Sequence, residues 1–336
     1  MYMDDLIVTS SRAEDIDHFK CEMAARFKMS ELGELSYYLG IEVRQGKEHI
    51  SLGQRAYVEK LLERGGMAEC KPWETPMEER LKLSKHSTAA KVDATCYRSI
   101  VGGLRYLTHT RPDIAFAVGY VSRFMEDPRE DHWTTVKRLQ RYIKGSLDQA
   151  IIFPKHGGKG GLRLMVFSEA PPKTEEGEPE LTLFSDADMA GDIDGRRSTS
   201  GVLVFLGAGP IAWQSLKKKI VALSTCEAEY AAAATAACQA VWLRRLLTGE
   251  EAHQLALMVD NQPTIALAKN PVIHDRSKHI DIKFHFLRNC ADGGQIVTEF
   301  VETGRQLADI LTKSLRRLRF MELRKMIGMD EVKVSG

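Results

Sequence analysis

The sequence predicts a chain that mixes the α+β and α/β classes, ending in a layer where a mixed β-sheet is flanked by helices. Three observations predict that layer. Leu181-Thr182-Leu183-Phe184 alternates and runs into Asp186, as a strand does. Two further short β-like runs follow, Gly201–Phe205 and Ile211–Gln214, before a long Ala-rich helical stretch, Thr225–Leu247. The apolar run Leu255–Asp260 then resumes a strand pattern ahead of more helix. Three strands, a helix and then strand–helix alternation is the order of an α/β layer with a mixed sheet.

The chain has 336 residues, enough for two to three domains of ordinary size, and 43% of it is hydrophobic. Its net charge of +1 names no partner. Charge is distributed unevenly, however: Arg111–Arg141 and Arg305–Lys325 are basic and Glu169–Glu180 is acidic. Basic stripes of this kind suit a phosphate backbone, or simply form solvated helix faces. The six cysteines are scattered without a CxxC pair, which argues against a structural zinc site or a disulfide framework and for a reducing, intracellular setting. No signal peptide and no apolar run long enough for a membrane span is visible.

In chain order, Met1–Val8 places Asp4 and Asp5 between two short apolar runs, a hairpin whose first strand is cut off; the expectation is a truncated N-terminus. Ser11–Phe27 has Ile16, Phe19, Met23 and Phe27 at helical spacing, with acids early in the run. Ser36–Leu52 reads as a hairpin turning near Gln45-Gly46-Lys47, and Gln54–Arg64 as a short helix stopped by Gly65-Gly66. Lys71–Ser87, with Pro72 and Pro76, is a connection. Helices are expected over Tyr97–Thr108, Pro112–Met125 and Pro128–Gly145, the last with Trp133, Val136, Leu139 and Ile143 on one stripe. Residues 154–180 hold GGKGG and PPKTEEGEPE, too polar and too rich in Gly and Pro for a core, so the main domain boundary is placed there.

Acidic residues stand out in the second half. Asp186 and Asp188 close the first strand; Asp260 closes Leu255–Val259 in the same way. On Thr225–Leu247, Ser224-Thr225-Cys226-Glu227 fits a capping box. A 100° rotation per residue puts Glu229 on the packed stripe with Ala233, Ala236, Ala240, Leu243 and Leu247, and turns Glu227 toward solvent with Arg245. A carboxylate on a packed face is costly unless it is paired or holds a cation, although a first-turn acid is also what the helix dipole favours. Two strand-tip aspartates and a helix-borne glutamate suit a hard divalent cation. Asp309, in QLADIL, lies opposite the stripe of Leu307, Leu311, Ser314 and Leu318, and solvent exposure is its expected state.

FSDADMAGD, RRSTSG, LSTCEAEYAAAA, VDNQPTIALAKNP, RSKHIDIKFHFLRN and QLADILTKSL, in this order, resemble the ribonuclease H domain of copia-type retrotransposon polyproteins. YMDDLIV, YYLGIEV, YRSIVGGLRYLTHTRPDIAFAVGYVSRFMEDP and RLQRYIKG resemble the end of the reverse transcriptase of the same elements. The resemblance implies a remnant of the polymerase palm and primer grip over 1–75, a thumb or connection over 76–153, a linker over 154–180 and a ribonuclease H-like domain over 181–326. It implies metal binding and catalysis by Asp186, Glu229, Asp260 and Asp309, with two Mg²⁺ ions (Mn²⁺ as a substitute) roughly 3.5–4 Å apart assisting hydrolysis of RNA in an RNA–DNA hybrid. Asp188 and Asp192 are read as loop-structuring.

A histidine often precedes the last acid in ribonucleases H; here Glu302–Gln306 has none, and His279 or His285 is the candidate helper, each also readable as a structural histidine. Asp4 and Asp5 match the paired acids of a polymerase site that needs a further aspartate and a fingers region, so no independent polymerase activity is expected. Arg105, Arg111, Arg123, Lys137, Arg138 and Arg141 are candidate phosphate contacts in the first part. The partners implied are an RNA–DNA hybrid and other element-encoded proteins, in the cytoplasm or nucleus and without a membrane. The competing class is a catalytically dead nucleic-acid-binding relic or an interaction protein derived from the element.

Overall fold

The computed structural model describes residues 6–10, 12–155, 181–248, 255–269 and 281–332. Asp4, Asp5, His279 and the 156–180 segment lie outside the described residues, as does the side chain of His285. In chain order the elements are α1 (Ala13–Arg26), β1 (Tyr37–Tyr38), β2 (Ile41–Gln45), β3 (His49–Gly53), α2 (Arg55–Arg64), α3 (Ala94–Leu107), α4 (Ala115–Val121), α5 (Glu130–Lys144) and β4 (Gln149–Pro154). Then come β5 (Leu181–Ala187), β6 (Thr199–Leu206), β7 (Gly209–Lys217), α6 (Thr225–Thr248), β8 (Leu255–Val259), α7 (Gln262–Lys269), α8 (Asp281–Asp292), β9 (Ile296–Phe300), α9 (Arg317–Met326) and β10 (Met329–Glu331).

Two five-stranded sheets organise these elements. The first is antiparallel, in the order β1-β2-β3-β4-β10. Its β2–β3 hairpin turns where expected, Gly46 N donating to the His49 carbonyl at 2.9 Å. The second sheet is mixed, in the order β7-β6-β5-β8-β9: β5, β6 and β7 form an antiparallel meander, while β8 and β9 run parallel to β5. This is the mixed sheet flanked by helices that the resemblance implies for a ribonuclease H-like domain. The strands β4, β9 and β10 escaped the sequence reading; each is short and adjoins a stronger helical or Gly-rich signal.

Helix chemistry explains most of the first part. Asp93 caps α3, accepting from Thr95 N at 2.8 Å. Val136, Leu139 and Ile143 of α5 are buried, with Trp133 packed beside them, so the predicted stripe faces the core. The 112–125 run breaks into a 3₁₀ turn at Pro112–Ile114, then α4, then a second 3₁₀ turn. By contrast, α1 forms but fully buries none of its residues: Phe19 and Phe27 are exposed, and Ile16 and Met23 are only partly covered.

The chain's end returns to its beginning. β10 pairs with β4, and α9 buries Phe320 and Leu323 in the core built by α2, α3, α4 and α5. Phe320 meets the Tyr142 ring edge-on, centroids 5.4 Å apart, and Arg324 donates to the Tyr142 hydroxyl at 3.1 Å. The two sheets are therefore joined by chain on both flanks. Other ties are Trp213 Nε1 donating to the Thr108 carbonyl at 2.8 Å, and Asp194, which accepts from Ser84 Oγ at 2.5 Å and Lys85 N at 2.7 Å.

A buried ion-pair network sits at the heart of the first part and corrects one expectation. Arg111 is 2% exposed. Its guanidinium donates to both Asp113 oxygens, at 2.9 and 2.8 Å, and to the Ser146 carbonyl and hydroxyl. Tyr142 completes the network by donating to Asp113 at 2.5 Å. Arg111 is thus a core residue and not a phosphate contact. Arg123 is likewise taken: it donates to Thr199 Oγ1 at 2.9 Å, lies 3.8 Å from Asp192 and stacks on Tyr120. Replacing Arg111 by Met strands a buried Asp113, and the expected cost is about 3–5 kcal/mol in urea unfolding.

Candidate active site

The site forms where β5 and β8 end. Because the two strands are parallel neighbours, their carboxyl ends open on the same edge, and each delivers an aspartate there. Asp186, on β5, is 2% exposed; Asp260 follows β8 directly and is half-buried. Beyond Asp260, Asn261 Oδ1 accepts from Thr264 N at 3.0 Å and caps α7, which holds the strand tip in place.

Glu229 arrives from α6. Ser224 caps this helix, accepting from Glu227 N at 3.1 Å, while the Glu227 carboxylate reaches back to Leu223 N at 2.7 Å. Glu227 is 7% exposed, so its predicted solvent position is corrected: the cap folds the side chain under the preceding loop. Glu229, one half-turn on, is 6% exposed and accepts from Ala187 N at 3.2 Å. Its other oxygen, Oε2, is buried without a hydrogen-bond donor.

Asp309 carries the largest correction. It is 5% exposed, not solvated. The wheel drawn for an α-helix does not apply, because Leu307–Leu311 is a 3₁₀ turn in which all five residues are buried. Two features press that turn onto the sheet. Gln306, fully buried, donates from Nε2 to the Ser185 carbonyl at 2.9 Å and accepts from Ala308 N at 3.2 Å. Gly201, opposite Asp186 on β6, leaves the room: a Cβ there would lie 2.8 Å from Leu311 Cβ and 2.9 Å from the Ala308 carbonyl. Thr312 then donates its hydroxyl to Asp186 Oδ2.

As a result, carboxylate oxygens of Asp186, Asp260 and Asp309 lie within 4.8 Å of one another, with Glu229 behind them. Lys313 adds a cation, its Nζ 2.7 Å from Asp309 Oδ1 and 3.7 Å from Asp186 Oδ2. Desolvation, then the charges of Asp186 and Asp260, push the Glu229 carboxyl up to about 9. Desolvation and Asp186 push Asp309 up to about 7, against the pull of Lys313. Asp260 is raised for the same two reasons. Burial opposes the Lys313 charge, yet Asp186 and Asp309 outweigh it and hold its pKa above the ordinary lysine value. Sequence reasoning missed Lys313, Thr312, Gln306 and Gly201; the Asp309–Lys313 spacing of four was the one available signal.

The neighbouring 188–199 loop is self-structured, as read for Asp188 and Asp192. Asp188 accepts from Thr199 N. Asp192 accepts from Gly195 N at 2.8 Å and pairs with Lys217 at 2.7 Å.

Comparison with known proteins agrees with the motifs. The family described as reverse transcriptase (RNA-dependent DNA polymerase) matches residues 1–79. Over 338 residues the chain is 38% identical to the retrovirus-related Pol polyprotein from transposon RE2 of Arabidopsis thaliana, covering 100% of this chain and 22% of that polyprotein. Over 242 residues it is 34% identical to an uncharacterized mitochondrial protein of the same plant, covering 72% of this chain and 92% of that one. The chain belongs to the copia-type retrotransposon Pol family.

The chain spans about a fifth of the length of that polyprotein. Among solved structures, the N-terminal RNase H domain of Rv2228c from Mycobacterium tuberculosis, solved as a fusion with maltose binding protein, matches 44% of the Pol chain and 97% of its own at a TM-score of 0.31 and 15% identity. In the first part of the chain, α5 leaves Lys137 half-exposed, 3.8 Å from Glu130 and 5.6 Å from the centre of the Trp133 ring. Arg138 and Arg141 both lie over Trp73, at 5.1 and 4.5 Å, and donate to Thr75 Oγ1 and the Lys71 carbonyl. All six cysteines of the Pol chain are free thiols, and among the described residues no helix is long and apolar enough to cross a membrane.

Two outcomes follow from this geometry. Gly201→Ala forces the Asp309 turn off β6, with an expected loss of about 1–3 kcal/mol in urea unfolding. Glu229 titrates near 9 in the folded chain and near 4.3 unfolded, so without metal the unfolded chain releases its proton first. Its contribution to stability is complete below about pH 4.3 and is lost as pH rises toward 9. In EDTA, Glu229→Gln is expected to melt higher than wild type at pH 8 and to flatten the fall of Tm across that window.

Proposed function

We propose that the mixed-sheet unit hydrolyses the RNA strand of RNA–DNA hybrids, using divalent cations held by Asp186, Glu229, Asp260 and Asp309. The observation that supports this most is the convergence of three carboxylates within 4.8 Å at a rigid sheet edge, with a fourth carboxylate oxygen buried and undonated beside them. Such an arrangement is unfavourable on its own, and a hard, oxygen-preferring cation such as Mg²⁺ or Mn²⁺ relieves it. The donor set is all oxygen, without a histidine or cysteine among the described residues of the cluster, which favours Mg²⁺ over Zn²⁺.

When bound, such ions supply an activated water and neutralise charge building on the phosphoryl oxygens. The chain's own residues do the rest. Glu229 and Asp309 must lose their protons to act as ligands, which makes ion binding and proton release one event. Thr312 fixes the rotamer of Asp186, and Gln306 fixes the depth of Asp309. On the neighbouring surface, Lys137, Arg138 and Arg141 with Trp73 form a basic and aromatic face suited to the backbone of a bound hybrid.

The test is cleavage of an end-labelled RNA–DNA hybrid in Mg²⁺ by the purified full chain. Asp186→Asn and Glu229→Gln are expected to cut at least about 100-fold more slowly, as for loss of a principal electrostatic element of a site. Asp309→Asn is expected to behave in the same way. Variants that cut as fast as wild type reject the assignment, and a chain that binds the hybrid without cutting it is a binding relic.

A further inference from the structure

Lys313 is unexplained by the four acids, although it makes their closest cationic contact. Its ammonium lies 2.7 Å from Asp309 Oδ1 and 3.7 Å from Asp186 Oδ2, against two of the three acids whose oxygens converge within 4.8 Å. The side chain remains 42% exposed, so its stem reaches in from solvent and is not locked in the core. The position is also built: Lys313 follows directly on Thr312, and the amides of both residues donate to the Asp309 carbonyl, at 3.3 and 3.2 Å. One short turn thus carries an acid of the cluster, the hydroxyl that orients a second acid, and a cation that touches both.

We propose that Lys313 is a resident counter-cation, holding the carboxylate cluster together when no divalent ion is bound and competing with that ion for Asp309 and Asp186. It rests on the metal-binding reading given above. An ammonium and a divalent ion cannot both take the same face of Asp309, so ion binding requires the lysine to withdraw along its exposed stem. Apparent ion affinity is then the intrinsic affinity reduced by the fraction of molecules whose lysine has withdrawn. The consequence is a pair of opposite effects: removing the lysine destabilises the metal-free chain and tightens its hold on the ion. In this role Lys313 is a positioning residue.

The test uses the full chain without nucleic acid. Lys313→Met keeps the stem and removes the charge; Lys313→Arg keeps the charge. Melting is followed in EDTA and in saturating Mn²⁺, and Mn²⁺ affinity is measured by calorimetry at fixed pH and ionic strength. The Met variant is expected to melt lower than wild type in EDTA, to recover in Mn²⁺, and to bind Mn²⁺ about tenfold more tightly, as for a lysine that occupies the site about nine-tenths of the time. The Arg variant is expected to keep the wild-type melting point in EDTA. Unchanged or weaker Mn²⁺ affinity in the Met variant overturns the proposal, and that is the outcome for a lysine that only contacts phosphate. Wild type failing to bind Mn²⁺ at all, with Asp309→Asn indistinguishable from it, overturns the metal reading as well. If the Met variant does not fold even in Mn²⁺, Lys313→Gln is put through the same measurements and decides by the same signs.

Discussion

Everything around the second sheet is arranged to bring together carboxylates that repel one another. Two charges 4.8 Å apart repel by about 3.5 kcal/mol at an effective dielectric of about 20, and three such pairs meet at this sheet edge. The chain meets that cost with rigidity and with local relief. Rigidity comes from placing Asp186 on the central strand, held by β6 on one side and β8 on the other. Relief comes from the proton that Glu229 retains, from the Thr312 hydroxyl and from the Lys313 ammonium.

The fourth acid reaches the site by a different physical route. Strands and a long helix can present a side chain by their own periodicity, whereas the Asp309 turn is short and has no face of its own. Its position depends on contacts made elsewhere: the Gln306 carboxamide on the β5 backbone, and the missing side chain at Gly201. These contacts also link the site to the rest of the molecule, since the next element, α9, packs into the first core beside the Arg111–Asp113–Tyr142 network. Strain at one end of that connection is therefore felt at the other, because a close-packed interior transmits displacement.

Much of the fold was readable residue by residue. The strand Leu181–Asp186, the α6 helix with its Ser224 cap and the strand before Asp260 all carry strong local patterns, and all three appear. So does the Glu229 stripe through Ala233, Ala236, Ala240 and Leu243, because a long Ala-rich helix keeps its 100° step, although Leu247 at its end is exposed. Two readings failed for different reasons. Glu227 was turned to solvent by the same wheel, yet its carboxylate folds back onto Leu223 N. Arg111 looked like one more member of a basic stripe, but it is buried, paired with Asp113 two residues on and with Ser146 across the core.

The sequence by itself determined which acids are available and which regular elements carry three of them, because hydrophobic period and capping chemistry act within a few residues of each other. The motifs named Asp309 beside them, but only the tertiary structure decided that its turn is buried against the sheet, that Lys313 contacts two of the acids and that β10 closes the first sheet. Those outcomes depend on pairs far apart in the chain, such as Gln306 with Ser185 and Met329 with Ile151. Within its own neighbourhood each of these residues is an ordinary polar or apolar position, and no periodicity marks a partner more than a hundred residues away.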